Sequence, residues 1–357
     1  MMNDTKAASR RHVPVLLLSI LFVIFSILAA QLLYWRHAYA VLPEPSPQPL
    51  PSQTPRQRTY MSRFTETPAP TLSSPLLFSP APDPESTAIP TTPPTPANGL
   101  LGGKYAWRFT DEATLTDHTY SDPSVSITWD MYRDELSYSK SVTFYVADVL
   151  VQDISSLTTA FAKGSFSAGG RKNMETIARN NHCIVAISGD FARWHRNGLI
   201  VRNGEVFRKA RFTSDLGVLY KNGVMETYEP GTISLDEIME KDPWQSWHFG
   251  PELLDHNGQP KTRFNTSVGG RNPRSVIGYY EPGHYCFVLV DGRQKNYSLG
   301  LTMKELSRLM YALGCTRAYN LDGGATAHMT WRNKVINSPS KDRLVNDIIC
   351  VRFPAGA

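Results

Sequence analysis

Sixteen of the 26 prolines in this chain fall between Pro43 and Pro96. Proline removes a backbone donor and fixes φ, so it does not belong in a helix interior or a central strand. The same stretch is rich in Ser and Thr, with too little apolar content to offset the entropy of ordering. Residues 36–99 therefore read as an extended, disordered linker whose role is reach. That divides the 357-residue chain into a short front end and a long globular part, residues 100–357.

The front end carries its own signal. Residues 13–35 run without a charge from Val13 to Trp35. As a helix, such a run is long enough to cross a hydrocarbon core of roughly 30 Å. Lys6, Arg10 and Arg11 precede it, which keeps residues 1–12 in the cytoplasm and places everything after residue 35 outside it. Tyr34 and Trp35 stand where an interfacial aromatic belt would. The expectation is a single-pass protein of the cell membrane with an extracytoplasmic C-terminal domain. Cleavage after Ala38-Tyr39-Ala40 is the competing reading, but the apolar run is longer than the ~7–15 residues of a leader core.

The globular part holds 30 Lys+Arg against 27 Asp+Glu, close to neutrality, which argues against a nucleic-acid surface. Cys183, Cys286, Cys315 and Cys350 sit in or beside strand-like apolar runs and match no zinc spacing. At least two are expected to be buried free thiols.

Apolar patterning predicts strands over 124–133, 142–152, 183–188, 274–280, 285–290 and 347–353. Asn203-Gly204 and Asn222-Gly223, each between apolar runs, predict two hairpins, because both turn residues need positive φ. Helices are expected over 173–180, over 232–241 with Ser234 and Glu237 as a capping pair, and over 302–313 with Gly314 as the stop. A strand over 316–321, an Asp-Gly-Gly turn and a strand over 325–331 follow. The fold class is α+β, with a mixed, largely antiparallel sheet, several hairpins and about three helices.

Three strand exits carry a carboxylate beside glycine: Gly189-Asp190, Asp291-Gly292-Arg293 and Asp322-Gly323-Gly324. Each alone is an ordinary turn. Together with Pro273-Arg274 they describe a cleft with several carboxylates and a guanidinium. Carboxylates activate water or stabilise an oxocarbenium-like centre. Arginine binds phosphate at two points.

Those segments, in order, resemble the phosphodiester glycosidase family, which includes the uncovering enzyme that removes N-acetylglucosamine from mannose-phosphate diesters. The resemblance rests on Ile187-Ser188-Gly189-Asp190-Phe191, Phe249-Gly250-Pro251, Pro273-Arg274-Ser275-Val276-Ile277-Gly278, Val290-Asp291-Gly292-Arg293, Gly300-Leu301-Thr302, Asn320-Leu321-Asp322-Gly323-Gly324 and Asp342-Arg343. Phe249-Gly250-Pro251 is similar to the bacterial, exopolysaccharide-associated branch. The departures are Ala325 for the usual third glycine, Thr326 for the serine, and Ser188 for an asparagine.

The resemblance implies hydrolysis of the sugar–oxygen bond of a glycosyl-1-phosphodiester. Asp190, Arg274, Asp291 and Asp322 are the catalytic candidates. Arg274 would clamp the phosphate with help from Arg293, and Asp322 and Asp190 would serve as base, nucleophile or charge stabiliser. Asp291 either acts in catalysis or fixes its turn. Ser188, Gly189, Arg293, Asn320, Gly323, Gly324 and Thr326 are the substrate-binding candidates. No cofactor or metal is expected, and the partner is a carbohydrate or phosphoglycan. Arg202 is expected to be exposed, and His195 to lie on a solvated loop. The alternatives are a glycan-binding or polysaccharide-assembly module without turnover, and a metal-dependent phosphodiesterase that cuts P–O.

Overall fold

The computed structural model describes residues 99–136, 140–194 and 196–353. The expected anchor, nearly all of the linker, and His195 lie outside the described residues. Among those described, no helix is long and apolar enough to cross a membrane.

In chain order the strands are β1 (Thr114–Leu115), β2 (Thr119–Ser121), β3 (Val125–Leu136), β4 (Lys140–Val151), β5 (Leu157–Phe161), β6 (Cys183–Ser188), β7 (Leu199–Arg202), β8 (Glu205–Lys209), β9 (Leu216–Tyr220), β10 (Met225–Tyr228), β11 (Pro243–Trp247), β12 (Arg274–Glu281), β13 (His284–Val290), β14 (Arg317–Asn320), β15 (Met329–Trp331), β16 (Lys334–Val335) and β17 (Asp347–Arg352). Among the described residues the α-helices are α1 (Met174–Asn180), α2 (Leu235–Glu240) and α3 (Met303–Ala312).

A seven-stranded sheet has the order β1-β2-β3-β4-β13-β12-β14, and a five-stranded sheet the order β16-β15-β6-β17-β5. Every pairing between these strands is antiparallel. The two sheets pack face to face. Val149, Ile277, Phe287 and Leu289 of the first meet Val185, Ile187, Met329 and Ile349 of the second in one buried cluster. The outer face of the larger sheet is covered by α3, whose Met303, Leu306 and Met310 pack on Val146, Val276, Cys286 and Val288. The outer face of the smaller sheet is covered by α1, through Met174, Ile177 and Ala178. Four layers result: helix, sheet, sheet, helix.

This layering explains why Cys183–Ser188 and His284–Val290 read as continuous apolar runs. Their alternate residues face two different cores, so neither face needs to be polar. In β13, Tyr285, Phe287 and Leu289 point inward between the sheets while Cys286, Val288 and Val290 meet α3.

The caps follow the sequence. Ser234 with Glu237, and Thr302 with Glu305, each close a capping box. The Asn173 side chain accepts from the Glu175 backbone at the start of α1. The Asn203-Gly204 turn has φ of 53° and 80°, as its hairpin requires.

Several elements differ from expectation. Residues 325–331 are not one strand: a 3-10 turn, Gly324–Thr326, comes first and only Met329–Trp331 pairs. Pro243–Trp247, where patterning predicted no strand, is a strand beside β9, with a register shift after Pro243. All four cysteines are free and buried.

Candidate active site

Four strand ends converge where the two sheets meet. Asp322, just past β14, donates its backbone N–H to Gly189 O at 2.9 Å. Gly189, just past β6, donates to Asp347 O of β17 at 2.9 Å. Gly324 donates to Pro273 O beside β12 at 2.9 Å. Ser188 Oγ donates to Asp322 O at 3.2 Å, and Ser275 Oγ to Ser188 O at 3.2 Å. These bonds lash residues 188–190, 273–275, 322–324 and 347 into one assembly.

Close approach dictates two glycines here. A Cβ on Gly189 would stand 2.6 Å from the Asp347 carboxyl carbon, and one on Gly323 would stand 2.6 Å from Pro273 O. No side chain fits either place.

Of the four catalytic candidates, only Asp322 reaches solvent. It is half-buried, whereas Asp190, Arg274 and Asp291 are 0%, 2% and 1% exposed. Burial pushes the Asp322 carboxyl up to about 6, and the charge of Asp190 adds to this. A hydrogen bond from Thr326, and the guanidinia of Arg343 and Arg171, act in the opposite direction. The carboxyl is therefore poised to change charge just below neutrality.

Asp190 supports the site from behind. Its Oδ1 accepts from Arg202 Nη2 at 2.5 Å and its Oδ2 from the His248 backbone N–H at 2.8 Å. Arg202 is 1% exposed, not a solvated hairpin residue. The hairpin turns its side chain inward to satisfy two carboxylates, since Asp347 Oδ2 also lies 3.6 Å from Arg202 Nη2. Burial pushes Asp347 up to about 7, with the neighbouring Asp190 charge as the next cause and Arg202 opposing.

Arg274 does not extend into a cleft. Its Nε donates to Leu301 O at 3.0 Å, and its Nη2 to Val268 O at 2.8 Å and to Gly270 O. The guanidinium organises the 268–270 loop, and burial lowers its pKa to about 10, with Arg293 repelling it further. Asp291 likewise holds its surroundings: Asn337 Nδ2, the Ser338 N–H and the Tyr297 hydroxyl donate to it at 2.8, 3.0 and 2.9 Å. Of its two readings, turn fixation is the one these bonds describe.

The substrate-binding candidates divide in the same way. Ser188, Asn320 and Thr326 are buried, and Asn320 Nδ2 donates to Gly250 O at 2.7 Å. Gly323, Gly324 and Arg293 line the outer surface. Arg293 is exposed, donates through Nε and Nη2 to Asn272 Oδ1, and flanks Gly324. His328 is 1% exposed; its Nδ1 lies 2.9 Å from Thr326 O, and its Nε2 lies 3.9 Å from Asp342 Oδ1. Among the described residues no cluster of His, Cys, Asp and Glu could hold a metal.

Next to Asp347, on the side of its neighbour Asn346, lies a hollow that sequence reasoning missed. It has a volume of about 290 Å³ and is lined by Gly170, Arg171, Arg193 and Asn346. A smaller cleft continues it past Phe161, Phe166 and Ala192 to Asp347. Asp347 had a legible signal, a carboxylate at a strand terminus like the other three. Arg171, in a Gly/Ser-rich loop, had none.

Residues 181–352 match the family model for phosphodiester glycosidases. Over those residues the chain is similar to the phosphodiester glycosidases. An uncharacterised SPbeta prophage-derived protein of Bacillus subtilis (strain 168), YomE, is 27% identical over 202 residues, covering 53% of this chain and 31% of its own. The bovine (Bos taurus) N-acetylglucosamine-1-phosphodiester alpha-N-acetylglucosaminidase is 24% identical over 223 residues, covering 54% of this chain and 41% of its own. The chain thus spans less than half the length of the curated relatives it matches. The zebrafish catalytic domain of that enzyme, auto-inhibited by its pro-peptide, superposes with a TM-score of 0.53 at 18% identity, covering 68% of this chain and 88% of its own. The phosphodiester glycosidase family match embraces Asp190, Arg202, Asp322 and Asp347 but begins after Arg171.

Proposed function

We propose that this chain is a hydrolase that cleaves the glycosidic C–O bond of a sugar-1-phosphodiester. The observation that carries the reading is Asp322: a half-buried carboxyl with a pKa near 6, on a bare Gly-Gly turn, with the charges of Arg343 and Arg171 acting on it and the Arg293 guanidinium beside Gly324.

The chemistry fits that arrangement. A phosphate ester leaves as a stable anion, so its departure needs positive charge nearby more than a strong proton donor. At the sugar, the anomeric carbon gains positive charge, which a facing carboxylate stabilises. Above about pH 6 Asp322 is ionised and takes that part, or removes a proton from the attacking water. Gly323 and Gly324 present bare backbone to the sugar. Asp190, Arg202 and Asp347 hold the turn from beneath.

The setting is part of the proposal. The apolar run 13–35 and the proline-rich 36–99 favour a membrane-anchored domain outside the cytoplasm. Its substrates would then be cell-surface or exopolysaccharide phosphoglycans, as in the bacterial branch that the sequence resembles.

The test is release of a reducing sugar from UDP-N-acetylglucosamine by the full chain. Turnover is expected, and Asp322→Asn should lower kcat by about 10²–10⁴-fold. Glycan binding without turnover would favour the non-catalytic alternative.

A further inference from the structure

We propose that the hollow bounded by Arg171, Arg193 and Asn346 is an anion subsite that takes the phosphate of a polyol or sugar phosphate on the leaving-group side of Asp322. This rests on the glycosidase reading and names the half of the substrate that the reading leaves open.

The larger hollow, about 290 Å³, is lined by two guanidinia, an amide and a glycine, with no carboxylate among them. That volume accommodates a phosphate and several further atoms. The carboxylate of Asp347 enters only in the narrower cleft beyond.

Its cations are already positioned. The Arg171 guanidinium stacks over the Phe191 ring at 5.2 Å. Arg193 Nη1 donates to Phe166 O at 3.1 Å and Ser167 O at 3.0 Å, which ties the 163–172 loop to the turn after β6. Gly169, with φ +57°, lies so close beneath that a Cβ there would stand 1.7 Å from Arg193 Nη1. A clamp held in place before binding loses less entropy when the ligand arrives.

Asn346 adds the polyol preference. Its Nδ2 donates to Gly170 O at 2.9 Å, while its Oδ1 is buried without a hydrogen-bond partner. An orphaned acceptor on a residue that lines the hollow with two arginines calls for a ligand that carries a hydroxyl as well as an anion.

The hollow adjoins the bonded assembly that carries the reacting carboxyl: Asn346 precedes Asp347, whose backbone O accepts from Gly189 N–H, and Gly189 O accepts from Asp322 N–H. Arg274, by contrast, spends its Nε and Nη2 on three carbonyls. Arg171 also precedes the family-matched segment. Arg193 and Asn346 lie within that segment, so the clamp joins one residue before the family match to two inside it.

The experiment titrates the full chain with sn-glycerol 3-phosphate, inorganic phosphate and glycerol by calorimetry. Arg171→Gln, Arg193→Gln, Asn346→Ala and Arg293→Gln are compared, with thermal melts to confirm folding. Glycerol phosphate should bind more tightly than phosphate, and glycerol should not bind. Arg171→Gln and Arg193→Gln should each weaken glycerol phosphate about ten- to a hundredfold. Asn346→Ala should remove its advantage over phosphate, and Arg293→Gln should change affinity less than threefold. Unchanged affinity in folded Arg171→Gln and Arg193→Gln overturns the subsite, as does a loss confined to Arg293→Gln. Steady-state assays separate this from the enzymatic reading. Turnover with KM unmoved by Arg171→Gln overturns the subsite alone. Clamp-dependent binding without any phosphodiester turnover supports the subsite and overturns the hydrolase.

Discussion

Arg202 Nη2 lies 2.5 Å from Asp190 Oδ1, and both residues are at most 1% exposed. A buried carboxylate without its guanidinium is strongly unfavourable, so Arg202→Leu should cost about 3–5 kcal/mol or leave no soluble protein. The double change Asp190→Asn with Arg202→Leu should recover part of that loss. Denaturant melts of the three variants check this. Equal stability of Arg202→Leu and the parent would mean that the pair contributes nothing.

Asp322 and Asp347 both have pKa values raised on folding, to about 6 and about 7 from 3.8. The native state therefore binds protons more readily than the unfolded chain between about pH 4 and 7. Their contribution to stability is fully present below pH 3.8 and is lost as pH rises through 6 to 7. Replacing one of these carboxyls by its amide removes the cost of ionising it while buried. Asp347→Asn should accordingly raise Tm at pH 8 relative to the parent, with the gain vanishing near pH 4. Scanning calorimetry across that range decides it, and a gain independent of pH would contradict the assignment.

Gly189 has the Asp347 carboxyl where its own Cβ would be, at 2.6–2.8 Å. Gly189→Ala must displace that carboxyl or the strand end. A stability loss of about 1–3 kcal/mol is expected, the range for overpacking. A drop in kcat should accompany it, because Gly189 O also anchors Asp322 N–H. Full activity in this variant would show that the anchoring is not needed.

Much of this was legible in the sequence, and the exceptions have physical causes. The hairpin at Asn203-Gly204 and the capped helices follow from local rules that tertiary packing did not override, whereas Asn222-Gly223 turns β9 into β10 with positive φ at Gly223 alone of the two. The convergence of residues 190, 322 and 273–275 followed from their strand-end positions. The direction of each side chain did not. Arg202 reads as a surface hairpin residue until the inward carboxylates of Asp190 and Asp347 are known to need it. Arg274 reads as a free guanidinium until the 268–270 loop folds over it. The Pro243–Trp247 strand hid behind its proline and its adjacent polar Gln245 and Ser246, whose side chains bond Thr159 and Leu199 O in the interior.

Arg274 therefore gives a prediction opposite to that of a phosphate clamp. Arg274→Met should release the loop and lower Tm. In the protein that remains folded, KM for a sugar-1-phosphodiester should change less than in Arg171→Gln. Thermal melts paired with steady-state kinetics check it. A large rise in KM at unchanged Tm would restore Arg274 to phosphate binding.

The most direct measurement is hydrolysis of a sugar-1-phosphodiester by the full chain in oxygen-18 water, with Asp322→Asn alongside. The label is expected at the anomeric hydroxyl of the released sugar, and the variant should release almost none. Label in the phosphate, or Asp322→Asn matching the parent rate, would contradict it.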